Sequence, residues 1–112
     1  MDIKVRSVGD VRVLDICGKI VLGEGESQLC ERIRVEVGDG QFKLLLNMGQ
    51  VTNIDSAGLG AMIRGYTSVK REGASLKLAN LSRRVQDILA LTKLITIFET
   101  YDTEGEAISS FA

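Results

Sequence analysis

A continuous apolar stretch near the middle of the chain constrains the fold most strongly. Between Phe42 and Met48 it contains three consecutive leucines, Leu44 to Leu46. Because side chains of a strand alternate between the two faces of its sheet, such a run predicts a strand that is covered on both faces. We therefore expect a central strand within a sheet, in one domain that spans residues 1–112.

Apolar periodicity and turn residues predict the elements around this strand. Short alternating or apolar stretches predict strands at 3–8, 11–17, 42–48, 75–79 and 96–98. Helical spacing predicts helices at 26–37, at 56–71, after the cap residue Ser82 and after the capping box Thr103–Glu106. Gly18 to Gly25 is expected to be a loop. The order of elements predicts an α/β fold, with a mixed four- to five-stranded sheet and about four helices packed on it.

Composition removes several classes of function. The chain has no histidine, which excludes histidine-dependent catalysis and histidine-containing metal sites. Its net charge of −1 gives no electrostatic reason to bind nucleic acid or acidic lipid. No apolar run reaches the length of a membrane span, and the N-terminus lacks the apolar core of a signal peptide. We expect a cytoplasmic protein with no metal, no cofactor and no membrane insertion.

The two cysteines predict no redox or metal chemistry. Cys17 and Cys30 lack the C-x-x-C spacing of a redox or zinc site. Both lie in apolar sequence. We expect two buried, reduced thiols and no disulfide.

A short polar turn precedes the helix predicted at 56–71, and its hydroxyl has two interpretations. Ser56 could be the N-cap, holding a backbone N–H group, although Asp55 could serve the same cap. Ser56 could instead accept a phosphate, since the start of a helix tolerates negative charge. Residue spacing alone favours the cap.

The helix that follows carries a stripe almost bare of side chains. Gly58, Ala61 and Gly65 recur at helical spacing. The stripe could pack closely on the sheet, or it could offer a shallow surface to a partner. Spacing alone does not separate these two interpretations.

The stretch LLLNMGQVTNIDSAGLG, residues 44–60, resembles the signature of STAS domains and, among these, of bacterial anti-sigma factor antagonists. The Gly18 turn, the turn at 71–73 and the run Ser-Arg-Arg-Val at 82–85 also match the family's usual sequence. The resemblance covers nearly the whole chain. It implies a mixed sheet backed by helices and no catalytic activity. It also implies that ATP or ADP is bound by the partner and not by this chain.

The resemblance also implies a switch at Ser56. In the family, the serine at this position is phosphorylated by an anti-sigma factor that is also a serine kinase. The unphosphorylated protein binds that factor and frees the sigma factor, and a serine phosphatase resets the system. The residues implied at the partner surface are Lys19, Val21, Asp55, Ala57, Gly58, Leu59, Gly60 and Arg64.

Three departures from the family pattern leave other hypotheses open. The family often has an acidic residue shortly after the Gly18 position, whereas residues 19–22 are Lys-Ile-Val-Leu. Ala57 stands where a second serine is common, and Asn53 stands where a bulky apolar residue is common. A second hypothesis is therefore a STAS module that does not switch, within a scaffold or a transport system. A small enzyme is the third, and no acid/base or metal constellation in the sequence supports it.

Overall fold

A five-stranded mixed sheet forms the centre of the molecule, and the computed structural model describes residues 1–112. The strands are β1 (Asp2–Val8), β2 (Val11–Ile20), β3 (Lys43–Ile54), β4 (Ser75–Ala79) and β5 (Glu99–Tyr101). The helices are α1 (Glu24–Gly38), α2 (Ser56–Arg71), α3 (Arg83–Leu91) and α4 (Glu104–Ser110), with a 3-10 turn at Leu94–Thr96. Spatial order follows chain order, and only β1 is antiparallel to its neighbour. The predicted fold class is confirmed.

The leucine run lies in β3, and both faces of that strand are covered. Leu44 and Leu46 are fully buried in the main core with side chains of α1, α2 and α3. Leu45, between them, points to the opposite face and packs in a smaller core with Ala107 of α4. The predicted central position of the strand is confirmed, because three helices cover one face of the sheet and α4 covers part of the other. Its predicted end at Met48 is wrong, since the strand keeps pairing with β2 as far as Ile54.

Two predicted helix caps are present. The Ser82 hydroxyl accepts a hydrogen bond from the N–H of Val85 at 3.3 Å and begins α3. The Thr103 hydroxyl accepts one from the N–H of Glu106 at 3.2 Å and begins α4, without the reciprocal bond to the Glu106 carboxylate that a capping box would add. These hydroxyls satisfy backbone donors that the first helical turn leaves free.

None of the helices combines the length and the apolar character needed to cross a membrane.

The predicted loop from Gly18 to Gly25 is wrong at both ends. Strand β2 continues to Ile20 because it keeps pairing with β3, where Ile20 lies opposite Ile54. The pairing shifts register at Gly18, whose φ of 110° suits glycine. Helix α1 begins at Glu24. The loop therefore consists of residues 21–23 alone. Because it is so short, it stays close to the end of the sheet.

The last strand was predicted three residues too early. Residues 94–96 form a 3-10 turn, and the strand is Glu99–Tyr101. Phe98 is buried in the main core. Its ring packs edge to face on the ring of Tyr66, with 5.3 Å between the ring centroids. The apolar character of Phe98, which suggested a strand, therefore serves tertiary packing, whereas its neighbour Ile97 is exposed.

The expected burial of both thiols is wrong for Cys17. Both cysteines are free, as expected, but Cys17 is exposed and Cys30 is half-buried. Cys17 lies on the α4 side of the sheet, like Val11 and Val13. Helix α4 covers those two valines and does not extend over Cys17, because it has only seven residues.

Candidate functional site

The candidate site lies where two neighbouring parallel strands end. Strands β2 and β3 finish side by side, with Ile20 opposite Ile54. The loop 21–23 follows β2, and Asp55 follows β3. Because parallel strands end at the same edge of a sheet, this loop and the start of α2 lie next to each other.

Asp55, and not Ser56, caps helix α2. One carboxylate oxygen of Asp55 accepts a hydrogen bond from the N–H of Gly58 at 2.8 Å. Asp55 has the extended backbone of an N-cap, and Ser56 is the first residue of the helix. The interpretation of Ser56 as the cap is therefore wrong, and its stated alternative, Asp55, is correct.

The Asp55 carboxylate also joins the two elements of the site. Its second oxygen accepts a hydrogen bond from the N–H of Leu22 at 3.0 Å. These bonds from Leu22 and Gly58 favour the charged form and hold the pKa of the Asp55 carboxyl below its usual value. One carboxylate thus fixes the loop after β2 to the beginning of α2.

The Ser56 hydroxyl has no structural task in this arrangement. Ser56 is exposed, and its side chain makes no hydrogen bond within the protein. It stands in the first turn of α2, where backbone N–H groups and the positive end of the helix dipole favour an anion. The hydroxyl can therefore be modified without loss of a contact that supports the fold.

The bare stripe on α2 is a packing surface. Gly58, Ala61 and Gly65 are all buried. A Cβ atom on Gly58 would overlap the backbone of Ile20, and one on Gly65 would stand 2.6 Å from Cδ1 of Ile33 in α1. The close-packing interpretation is correct, although α1 and the end of β2 supply the contacts. The missing side chain of Gly58 therefore shapes the site by letting α2 approach β2.

The other residues implied at the partner surface differ in exposure. Lys19 and Arg64 are exposed, and Arg64 pairs with Glu26 of α1 at 2.8 Å. Leu59 is half-buried and packs against the main core. The remaining half-buried positions are Val21, Asp55, Ala57 and Gly60. Two exposed side chains adjoin Asp55. Leu22 in the loop 21–23 is joined to it by a hydrogen bond, and Ser56 follows it in the chain.

Leu22 was not singled out from the sequence. Its side chain is 75% exposed, although it lies beside Asp55 at the centre of the site. The only local signal is an apolar residue directly before a glycine, and that pattern is common in buried turns as well. The contact that places Leu22 here comes from a residue 33 positions away.

The structure predicts that Asp55 stabilises the fold and that the neighbouring Ser56 does not. We expect Asp55→Ala to lower the free energy of unfolding, because it removes the cap and the bond to Leu22. Ser56→Ala should leave that free energy unchanged within about 0.5 kcal/mol. Urea denaturation of both variants at pH 7 measures the difference, and equal losses would contradict the assignment of the cap.

The Asp55 contribution should depend on pH. Its pKa is lower in the folded protein than the unfolded value of about 3.9, so the folded state favours the carboxylate. The stabilisation is fully present above about pH 4 and disappears as the pH falls through the lower folded pKa. The stability gap between wild type and Asp55→Ala should therefore close in acid, as denaturation at a series of pH values will show.

The fold and this site define a STAS domain. The STAS domain family profile matches residues 2–107, and the chain belongs to that family. Within the family it groups with the anti-sigma factor antagonists, since it is 32% identical over 98 residues to the anti-sigma-B factor antagonist of Bacillus subtilis. That match spans 88% of this chain and 80% of the Bacillus protein.

A second sequence match is shorter. A Thermotoga neapolitana protein, provisionally named an anti-sigma factor antagonist homolog, is 36% identical over 69 residues. The match covers 62% of this chain and 61% of that protein. The corresponding Thermotoga maritima protein is also matched over 61% of its length.

Solved structures show the same architecture. The crystal structure of a provisionally assigned anti-sigma factor antagonist from Thermotoga maritima has a TM-score of 0.88 and 27% identity, covering 96% of this chain and 92% of that one. The phosphorylated form of the Bacillus cell fate determinant SpoIIAA has a TM-score of 0.74 and 18% identity, covering 99% and 100%. At that identity the second likeness supports the fold alone.

Proposed function

We propose that this chain is an anti-sigma factor antagonist that is switched at Ser56. Its unphosphorylated form binds a serine-kinase anti-sigma factor through the surface around Asp55 and thereby releases a sigma factor. The kinase phosphorylates Ser56 and ends the interaction, and a serine phosphatase restores the binding form. The chain itself performs no catalysis, and ATP or ADP belongs to the partner.

One observation carries this proposal: the capping role falls to Asp55 and leaves the Ser56 hydroxyl exposed and unbonded. A kinase needs an accessible hydroxyl, and a reversible switch needs a fold that survives the added charge. A phosphate adds about −1.5 to −2 charges at neutral pH, which a helix start tolerates. The modification would therefore change the surface while the fold stays intact.

The relatives support the class of partner. The Bacillus subtilis relative is named for antagonism of an anti-sigma factor. That likeness supports an anti-sigma factor as the partner of this chain.

Phosphorylation itself is the first test. Incubated with ATP and the serine-kinase anti-sigma factor of its own genome, the chain should gain one phosphate, which mass spectrometry of peptides will locate at Ser56. Ser56→Ala should gain none, whereas Ser68→Ala, an exposed serine in the last turns of α2, should be labelled normally. Labelling elsewhere, or undiminished labelling of Ser56→Ala, would overturn the switch.

A second candidate function is a STAS module that binds without switching, in a scaffold or a transport-associated complex. The observation that favours it is the absence of any acidic residue between Gly18 and Gly23. The two functions differ in the partner recovered from cell extract. A serine kinase supports the first, and a transporter ATPase supports the second.

A further inference from the structure

We infer that Arg64 is the receptor for the phosphate on Ser56: its guanidinium binds the phosphate within the same chain, while Glu26 holds the guanidinium in place. The inference rests on the proposed function, because it concerns the phosphorylated form, and it names the residue that holds the phosphate. It gives Arg64 a role inside the molecule, distinct from the partner contact that the family resemblance implied.

Helix α2 itself brings the Arg64 guanidinium towards Ser56. Ser56, Gly60 and Arg64 are spaced four residues apart, so they follow one another along one side of the helix. The side chain of Arg64 points back towards the start of the helix, because a Cβ atom on Gly60 would stand 3.2 Å from its Nη1 atom. Cβ atoms four residues apart are separated by about 5–6 Å, so this nitrogen lies one helical turn from the Ser56 side chain.

One nitrogen of the guanidinium is held and another is free. Nη2 donates a hydrogen bond to a carboxylate oxygen of Glu26 in α1 at 2.8 Å. Nη1, the nitrogen nearest to Gly60, donates no hydrogen bond within the protein. Gly60 has no side chain to separate this nitrogen from Ser56. A phosphate on Ser56 adds three strong acceptor oxygens, so Nη1 can bind one of them while Nη2 stays with Glu26.

Acidic groups around Ser56 make a cation necessary at this position. The Asp55 carboxylate directly precedes Ser56 in the chain, and the Glu26 carboxylate touches the same guanidinium that lies one turn away. Glu24 is exposed in the first turn of α1. A phosphate beside carboxylates is repelled unless a cation offsets their charge. The guanidinium of Arg64 supplies that charge.

Two other cations have to be compared with Arg64. The Nε of Arg84 donates to the side-chain oxygen of Asn53 at 3.2 Å, and Asn53 lies three residues before Ser56. Lys19 is exposed in β2, opposite Asn53 in β3. Neither residue lies on α2, so no shared helix fixes its distance from Ser56. Arg64 is therefore the receptor that the geometry favours.

Phosphorus NMR of the folded chain, with phosphoserine incorporated at position 56 during synthesis, tests the inference. A bound guanidinium favours the phosphate dianion and lowers the second pKa of the phosphate. We therefore expect Arg64→Gln to raise that pKa by about 0.5 or more. The matched controls Arg84→Gln and Lys19→Gln remove the same charge and should raise it by less than about 0.2, because solvent and salt screen more distant charges.

The possible outcomes separate the inference from the proposed function. A raised phosphate pKa in Arg64→Gln, with both controls close to wild type, supports the inference. An unchanged value in Arg64→Gln, or an equal or larger rise in Arg84→Gln or Lys19→Gln, overturns it. Neither result depends on a kinase, since the phosphoserine is incorporated during synthesis. The proposed function fails on a different observation, the absence of kinase labelling at Ser56.

Discussion

Gly58→Ala should destabilise the protein by about 3 kcal/mol or more, the largest effect expected of a single methyl group in this chain. The added Cβ would overlap the carbonyl oxygen of Ile20 and stand 2.8 Å from its carbonyl carbon and 3.0 Å from Cγ2 of Ile54. The first two atoms belong to the backbone of β2, so no side-chain rotation can relieve the overlap. Helix α2 would have to shift away from the strand, which would also separate Asp55 from Leu22.

Gly60→Ala is the matched control, two residues further along the same helix. Its Cβ would meet only the guanidinium of Arg64, at 3.2 Å, and that is the far end of a flexible side chain. Alanine favours a helix over glycine by up to about 1 kcal/mol, so we expect unchanged or increased stability. Chemical denaturation of both variants measures the difference. A Gly58→Ala protein as stable as Gly60→Ala would show that α2 does not lie as close to β2 as described.

Ser56→Asp should lower the affinity for the anti-sigma factor by at least about 100-fold while the fold remains intact. The new carboxylate would stand exposed at the centre of the partner surface, where the interface would have to desolvate it next to the Asp55 carboxylate. The same charge lies at the start of α2, where the helix dipole favours it, so the free energy of unfolding should change by less than about 0.5 kcal/mol.

Ser68→Asp is the control for this prediction. Ser68 is exposed on the same helix, three turns after Ser56 and away from the loop that carries Leu22. The added charge is identical, so an effect of net charge alone would weaken binding in both variants. Binding by Ser68→Asp should stay within about twofold of wild type. Wild-type affinity in Ser56→Asp would contradict the proposed position of the interface.

Elements defined by local pattern could be predicted from the sequence. The leucine run identified the first part of β3, because burial on both faces leaves no polar positions there. The part of β3 after Met48 contains Gln50, Thr52 and Asn53, so no apolar run indicated it. Ser82 and Thr103 were recognised as caps because each precedes a helical pattern by one residue. The short strand β5 was misplaced because the apolar character of Phe98 serves the contact with Tyr66, and no local pattern reveals that contact.

The candidate site could be located from the sequence, but its internal arrangement could not. Asp55 and Ser56 are both good capping residues at adjacent positions, so local rules allow either to begin α2. The choice depends on distant partners. The N–H of Asp55 points to the carbonyl of Ile20 at 3.4 Å, and its carboxylate holds Leu22. The same hydrogen bond places the backbone of Leu22 beside Asp55, where its side chain is exposed.

The central claim is that the Ser56 hydroxyl, free of any capping role, controls partner binding through its phosphorylation state. The most direct measurement is calorimetric titration of the serine-kinase anti-sigma factor with two forms of the chain, one unmodified and one with phosphoserine incorporated at position 56 during synthesis. We predict specific binding by the unmodified form and at least about 100-fold weaker binding by the phosphorylated form, with equal thermal midpoints. Equal affinities of the two correctly folded forms would contradict the account.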